Sequence, residues 1–138
     1  MTELLTVAQS QHQTKLDIIK DQLELALKEE GLFYVQKGGV SHFVPLPSDR
    51  RRSGIPIDIS QLNQCLLIDP DPKICVAEPG ITFEEVLQET MKYGLIPAMV
   101  PELKGITLGG AVAGCSIEST SFRYGTFHDS CLEYEILT

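Results

Sequence analysis

Glycine and proline crowd one stretch of this chain more than any other. Pro97, Pro101, Gly105, Gly109, Gly110, Gly114 and Gly125 all fall between Leu95 and Gly125, among serines and threonines. The stretch is too apolar for a linker. It is also too glycine-rich for a regular helix, since each interior glycine costs about 0.5–1 kcal/mol relative to alanine. An ordered, irregular segment is expected here, and the rest of the chain is read around it.

Upstream, Leu16, Ile19, Leu23, Ala26 and Leu27 repeat at helical spacing and predict a helix over residues 8–30, with Gly31 as a left-handed stop. Leu32-Phe33-Tyr34-Val35 reads as a short strand that ends in the turn Lys37-Gly38-Gly39-Val40-Ser41-His42. An exposed loop with Pro45, Pro47 and Arg50-Arg51-Arg52 follows. Strand-like runs then occur at Ile55–Ile59, Cys65–Asp69 and Lys73–Ala77, and Asp69-Pro70-Asp71-Pro72 makes the last two a hairpin. Thr82-Phe83-Glu84-Glu85 is a capping box opening a helix that runs to about residue 93 and stops at Gly94. Val86, Leu87 and Thr90 are its core-facing positions. Cys131 to Leu137 alternates like a final strand, which predicts an unpaired apolar edge and self-association through it. The expected division is a helix over residues 1–31 and one domain over 32–138. No internal repeat or low-complexity segment is present.

Charge and cysteine usage narrow the function classes. The 138 residues carry a net charge of −8, which disfavours nucleic acid, whose affinity comes largely from neutralised phosphates. A phosphate-bearing cofactor is still compatible, because backbone N–H groups hold phosphate without any lysine. Cys65, Cys75, Cys115 and Cys131 form no C-x-x-C pair, and no histidines stand at ligand spacing, so no metal site is expected. Cys65, Cys75 and Cys131 lie in apolar runs where buried thiols are usual. No apolar run approaches the roughly 20 residues of a membrane span, and the first residues lack a secretory pattern. A cytoplasmic protein with all four thiols reduced is the expectation.

Several familiar motifs are missing. There is no G-x-G-x-x-G after a strand, no G-x-x-x-x-G-K-[ST] and no G-x-S-x-G. Two glycine clusters beside strands remain. Gly38-Gly39-Val40-Ser41-His42 fits a tight hairpin turn, the reading its local pattern favours, and also fits an anion nest. The second cluster runs from Pro101 through Glu102, Gly105, Thr107, Gly109, Gly110 and Gly114 to Ser116, Glu118, Ser119, Ser121, Tyr124 and Gly125. A closely packed helix start would explain its glycines but not the polar density beside them. A site in which backbone lies flat against a large ring, with hydroxyls for its polar edges, explains both and is preferred.

These residues carry a resemblance. Thr107-Leu108-Gly109-Gly110, then Gly114, then Ile117-Glu118-Ser119-Thr120-Ser121 and Tyr124-Gly125 resemble the flavin-binding segment of FAD-linked oxidoreductases of the vanillyl-alcohol-oxidase superfamily. The likeness is greatest to the branch of the Δ24-sterol reductases, the diminuto-like proteins. Val76-Ala77-Glu78-Pro79-Gly80-Ile81-Thr82, Leu95-Ile96-Pro97 and Val100-Pro101-Glu102-Leu103 extend it upstream, from about residue 32 to the end.

The resemblance implies an α+β fold, a two-lobed FAD-binding domain of the PCMH type, here incomplete at its C-terminus. It implies FAD as cofactor, with the pyrophosphate at Gly38 to His42 and the flavin near Glu102 to Gly125. Where many relatives have the histidine of Gly-Gly-His-Ser, this chain has Val40, which implies non-covalent FAD. His42 is then a lining residue or a secondary candidate for linkage. The family's remaining FAD lobe and its substrate domain are not matched, so an N-terminal fragment, inactive alone, is expected. A small organic substrate would bind through the absent domain.

Two other classes stay open: a non-catalytic remnant acting as a folding or interaction module, and an unrelated phosphate-ligand module. Glu118 is a flavin ligand or a helix-start anion. His128-Asp129 is a proton-handling pair or a surface turn, and Arg50-Arg51-Arg52 is an anion-binding or a solvated loop.

Overall fold

The computed structural model describes residues 2–29, 31–38, 48–50 and 53–137, with only the backbone of residues 2–6. Gly39, Val40, Ser41 and His42 lie outside the described residues, as do Arg51 and Arg52. The described elements are α+β and fall into two compact units, Met1–Leu62 and Asn63–Thr138.

The first unit is built on α1 (Thr2–Lys28), β1 (Phe33–Gln36) and β2 (Ile55–Asp58). The helical repeat does its expected work. Ile19 and Ala26 are buried with Ile57 and Leu62, and Leu16, Leu23, Ile55 and Ile59 pack around them. Leu27 turns out to solvent, at the edge of that stripe. The Gln22 amide oxygen accepts from the Asp58 backbone N–H at 2.7 Å, tying the helix to β2. β1 and β2 pair in parallel, Phe33 opposite Ile55 and Gln36 opposite Asp58. Two glycines admit this pairing by their lack of a side chain. A Cβ on Gly54 would fall on the Leu32 carbonyl, and one on Gly31 would stand 3.2 Å from the Ile55 side chain. Gly31 therefore serves close approach, and the expected left-handed stop is not what it provides; positive φ among the described glycines is confined to Gly94 and Gly125.

The second unit opens with the expected hairpin, β3 (Cys65–Asp69) and β4 (Ile74–Ala77), antiparallel with a bulge between Cys65 and Leu67. Its turn is closed by the Asp69 carboxylate, which accepts from the Asp71 N–H, and by Lys73 at φ 58°. The open end is clamped by Glu78. This buried residue donates its backbone N–H to Gln64 O and takes the Gln64 N–H on its carboxylate, each at 2.8 Å. Helix α2 (Phe83–Met91) begins at the capping box as read: the Thr82 hydroxyl accepts from Glu85 N–H, and the Glu85 carboxylate accepts from Thr82 N–H at 2.8 Å. Phe83, Val86 and Thr90 are its buried face, while Leu87 is half-buried. Phe83, absent from the expected core face, is 1% exposed because N-terminal side chains fold back over the entering chain.

Two expectations fail in this unit. The glycine-rich stretch does form a helix, α3 (Leu108–Gly114), followed by α4 (Ser121–Tyr124) and α5 (Phe127–Ser130). Its glycines are tolerated because the helix is only 7 residues long and its first turn is bonded from outside. Residues 131–137 form no strand. Alternation supplies a face but no partner, and no described strand offers this segment a ladder. Leu132, Tyr134 and Ile136 are exposed.

Candidate functional site

The residues from 104 to 109 run antiparallel to 79–84 as a strap. Phe83 N–H donates to Ile106 O at 2.9 Å and Glu84 N–H to Lys104 O at 3.1 Å. In return, Leu108 N–H donates to Ile81 O at 3.0 Å and Gly109 N–H to Pro79 O at 2.8 Å. Thr82 and Thr107 face each other as an isolated bridge. Gly109 is therefore a close-approach residue. A Cβ there would stand 2.8 Å from the Pro79 Cβ and 3.1 Å from its carbonyl oxygen. Thr107, 1% exposed, caps α3 by accepting Gly110 N–H at 3.2 Å.

These bonds settle how the start of α3 is used. Leu108, Gly109, Gly110 and Ala111 N–H all have protein acceptors. The donors that ordinarily make a helix N-terminus attractive to an anion are spent on the fold. Of the expected site residues, Thr107 caps the helix, and Gly109 and Gly110 spend their N–H groups on protein acceptors.

Two glycines of the segment are open. Beyond their own chain neighbours and helix backbone, Gly105 and Gly114 have no atom of the described residues within 4 Å of where a Cβ would stand. Gly114 ends α3, and Cys115 follows it at φ 49° as the cap. From there the chain folds into a tight polar knot. Ser116 N–H bonds Ala111 O, and Ser116 O accepts from Phe127 N–H at 3.0 Å. The Ser121 hydroxyl accepts from Glu118 N–H at 2.9 Å, and the Glu118 carboxylate accepts from Glu102 N–H at 3.3 Å. Glu118 thereby joins the two ends of the segment. Ser119 is exposed, and the Arg123 guanidinium lies 5.4 Å from the centre of the half-exposed Tyr124 ring. Gly125 is required by its backbone, at φ 79°, where a Cβ would also overlap the Asp129 carboxylate.

Two features were missed from sequence. The Thr120 hydroxyl is buried and has no hydrogen-bond partner among the described residues. A buried unpaired hydroxyl costs about 1–3 kcal/mol, so it marks a place where a ligand atom or water would be welcome. The density of hydroxyls from Ser116 to Ser121 was the available signal, but which one is orphaned depends on the folded knot. The second is the partner of His128. Asp129 accepts from Thr126 N–H at 2.7 Å and caps α5. His128 instead places Nε2 2.6 Å from Val112 O and Nδ1 3.1 Å from the Cys115 sulfur. A carbonyl accepts only, so Nε2 carries the proton. Nδ1 is then the acceptor of the Cys115 thiol.

The open glycines, the orphaned hydroxyl and the polar knot suit a large ligand with polar edges. Gly38 is exposed, and its Cβ position is 3.8 Å from the Ser60 Cβ. Among the described residues no helix is long and apolar enough to cross a membrane.

A sequence model of a family described as "FAD binding domain" matches residues 14–138. The chain is 36% identical over 81 residues to the Delta(24)-sterol reductase homolog dhcr-24 of Caenorhabditis elegans, covering 59% of this chain and 15% of that protein. It is 32% identical over 88 residues to the Delta(24)-sterol reductase of Pisum sativum, covering 64% and 16%. A decaprenylphosphoryl-beta-D-ribose oxidase of Mycolicibacterium smegmatis is 27% identical over 86 residues, covering 62% and 18%. The aligned part of the chain thus spans less than a fifth of the length of these curated relatives. No solved structure matches with significance.

Proposed function

The chain belongs to the FAD-binding-domain family, and from that premise we propose that it is the flavin-holding part of an FAD-linked oxidoreductase of the Δ24-sterol-reductase type. FAD is the cofactor. When bound, it supplies a two-electron carrier whose ring accepts and returns a hydride. The reading is carried by one observation, the family match over residues 14–138, and the orphaned Thr120 hydroxyl and the uncovered Gly105 and Gly114 are compatible with it.

Different residues take different parts in this proposal. Thr107, Gly109 and Gly110 fix the start of α3, so the backbone beyond it is presented without rearrangement. Gly105 and Gly114 leave the space for a ring. Ser116, Ser119, Thr120 and Ser121 offer hydroxyls, with Glu102 and Glu118 closing the segment and Tyr124 and Gly125 ending it. The assignment of Gly38, Gly39, Val40, Ser41 and His42 to the pyrophosphate rests on the resemblance alone, as does non-covalent attachment from Val40. The small organic substrate is placed on parts of the relatives that this chain does not match. Self-association, in this reading, draws on exposed Leu132 and Ile136 rather than on a strand edge. Cytoplasmic residence belongs to the same proposal, supported by four cysteines that stand as thiols.

Gly114→Val tests the site. Nothing in the described protein meets a side chain there, so the melting temperature should hold or rise slightly while FAD affinity falls at least tenfold. Equal affinity in variant and parent would remove the flavin from this face. Acid precipitation of the loaded protein should leave all flavin in the supernatant, and flavin in the washed pellet would contradict non-covalent binding.

A further inference from the structure

Away from the glycine segment, two cysteines meet on the hairpin. Their sulfurs are 3.5 Å apart, Cys65 half-buried and Cys75 exposed. The register pairs Cys65 with Ala77 and Cys75 with Ile68. Cys75 and Ala77 share a face of β4, so Cys65 and Cys75 are diagonal neighbours. A bulge lies between Cys65 and Leu67, beside the pair. Cys115 and Cys131 point elsewhere, to His128 Nδ1 and Glu133 O. Two thiols alone do not make a structural zinc site, which takes about four ligands. Among the described residues no group of three or more metal-binding side chains forms.

We infer that Cys65 and Cys75 are a redox-active dithiol, a modification site that closes to a disulfide across the hairpin when it meets a small-molecule disulfide of the glutathione class.

The chemistry balances as two exchanges. The Cys65 thiolate attacks one sulfur of the small disulfide, forming a mixed disulfide and releasing one thiolate. Cys75 then attacks the Cys65 sulfur, the mixed S–S bond breaks, and the second small thiolate leaves. The protons of the two cysteines end on the two released thiols. The protein dithiol is oxidised and the small disulfide reduced to two thiols. The order follows from the hydrogen bond. Cys75 donating to Cys65 holds the Cys65 thiol below its ordinary value, against burial and Glu89, and the same bond with burial pushes Cys75 up. Cys65 is the attacking sulfur and Cys75 the resolving one.

The pair lies at the protein surface, Cys65 half-buried and Cys75 exposed, so small thiols reach the closed bond and reopen it.

Trypsin cutting after Lys73 separates the two cysteines, so the bond is read directly. The 138-residue chain is equilibrated with oxidised glutathione, quenched by alkylation and digested without reduction. Peptides 53–73 and 74–92 should emerge joined within one chain, and separate after added dithiol. Cys75→Ser should accumulate glutathione on residue 65, and Cys65→Ser should slow modification of residue 75 by about tenfold or more. In concentrated urea the joining should slow, since the folded hairpin holds these sulfurs 3.5 Å apart and the unfolded chain does not. The inference is overturned if the two peptides stay separately alkylated while Cys115 or Cys131 takes up glutathione. It is equally overturned if the joining is as efficient in urea, or if Cys65 pairs with another cysteine or another chain.

Discussion

Within the second unit, the stretch from β3 through α2 and the stretch from residue 101 to 137 are held by different kinds of bond. The first has more of its bonds within itself, although Phe83 and Glu84 N–H donate across to Ile106 O and Lys104 O. Its hairpin has its own ladder, its turn its own Asp69 bond, and its helix a capping box within four consecutive residues. The second takes its first bonds from outside: Leu108 and Gly109 donate to the carbonyls of Ile81 and Pro79. The first buries Ile81, Phe83 and Val86, whereas the second leaves Leu103, Ile117, Phe122 and Leu132 exposed. A self-bonded stretch can act as a template, and a borrowed one can present open backbone and uncovered side chains to a ligand. The difference teaches that the start of the glycine segment is fixed jointly with residues 79–84, and the remainder by its own polar bonds.

The heaviest blow to this contrast is at the one aromatic contact that joins the two stretches. Phe83 is 1% exposed and meets the Phe127 ring edge-to-face at 5.4 Å. Phe83→Ala should cost about 3–5 kcal/mol, read as a lowered midpoint in urea for both stretches together. A loss below about 1 kcal/mol would mean that the site relaxes, and that the template is not built around this ring.

A narrower cut is Gly109→Ala. Its Cβ would stand 2.8 Å from the Pro79 Cβ, and overpacking of this kind costs about 1–3 kcal/mol. Amide exchange should quicken from residue 104 to 125 while the hairpin and α2 keep their protection. Uniform quickening would show that the two stretches unfold as one and that the dependence is mutual.

The same contrast explains what could be read in advance. The hairpin and α2 were legible because Asp69-Pro70-Asp71-Pro72 and Thr82-Phe83-Glu84-Glu85 act within a few residues. So was the buried stripe of α1, though Leu27 escaped it. Helix α3 was misread because glycine content argues against a helix, and the bonds to Pro79 and Ile81 that overrule it come from far along the chain. The strand expected at residues 131–137 failed for the complementary reason, since a two-residue period names a face and not a partner. At the candidate site the residue types were legible and the bonds among them were not. Thr107 caps α3 and Gly109 bonds Pro79, while Thr120, legible only as part of the resembling run, holds the orphaned hydroxyl. Cys75, expected to be buried in an apolar run, is exposed, as is Val76 on the opposite face of β4, because nothing covers the middle of that strand among the described residues.

Two threonine caps offer a matched pair of smaller effects. Thr82 caps α2 with the help of Glu85, and Thr107 caps α3 alone. Replacing either by alanine should cost about 0.5–2 kcal/mol. Thr82→Ala should be felt in both stretches, because Thr82 also faces Thr107 across the strap. Thr107→Ala should leave exchange in the hairpin unchanged. Reversed footprints in an amide-exchange map would reverse the direction of dependence.

The smallest effect is expected where the two stretches are joined by charge. Lys104 Nζ lies 2.7 Å from the Glu84 carboxylate, a bond that looks like a clasp between the strap and α2. Its partners are 75% and 43% exposed, so water already solvates both charges and the pair gains little by meeting. Holding the lysine still also costs side-chain entropy, and salt screens what remains. Lys104→Met keeps most of the side-chain length and removes the charge. It should change stability by less than about 0.5 kcal/mol, with no steeper dependence on salt than the parent shows. The backbone bonds at Lys104 O and Ile106 O are untouched by this substitution, so the strap should stay in place. A loss well above about 1 kcal/mol that vanishes in high salt would show that charge, and not the borrowed backbone ladder, holds the glycine segment to its template.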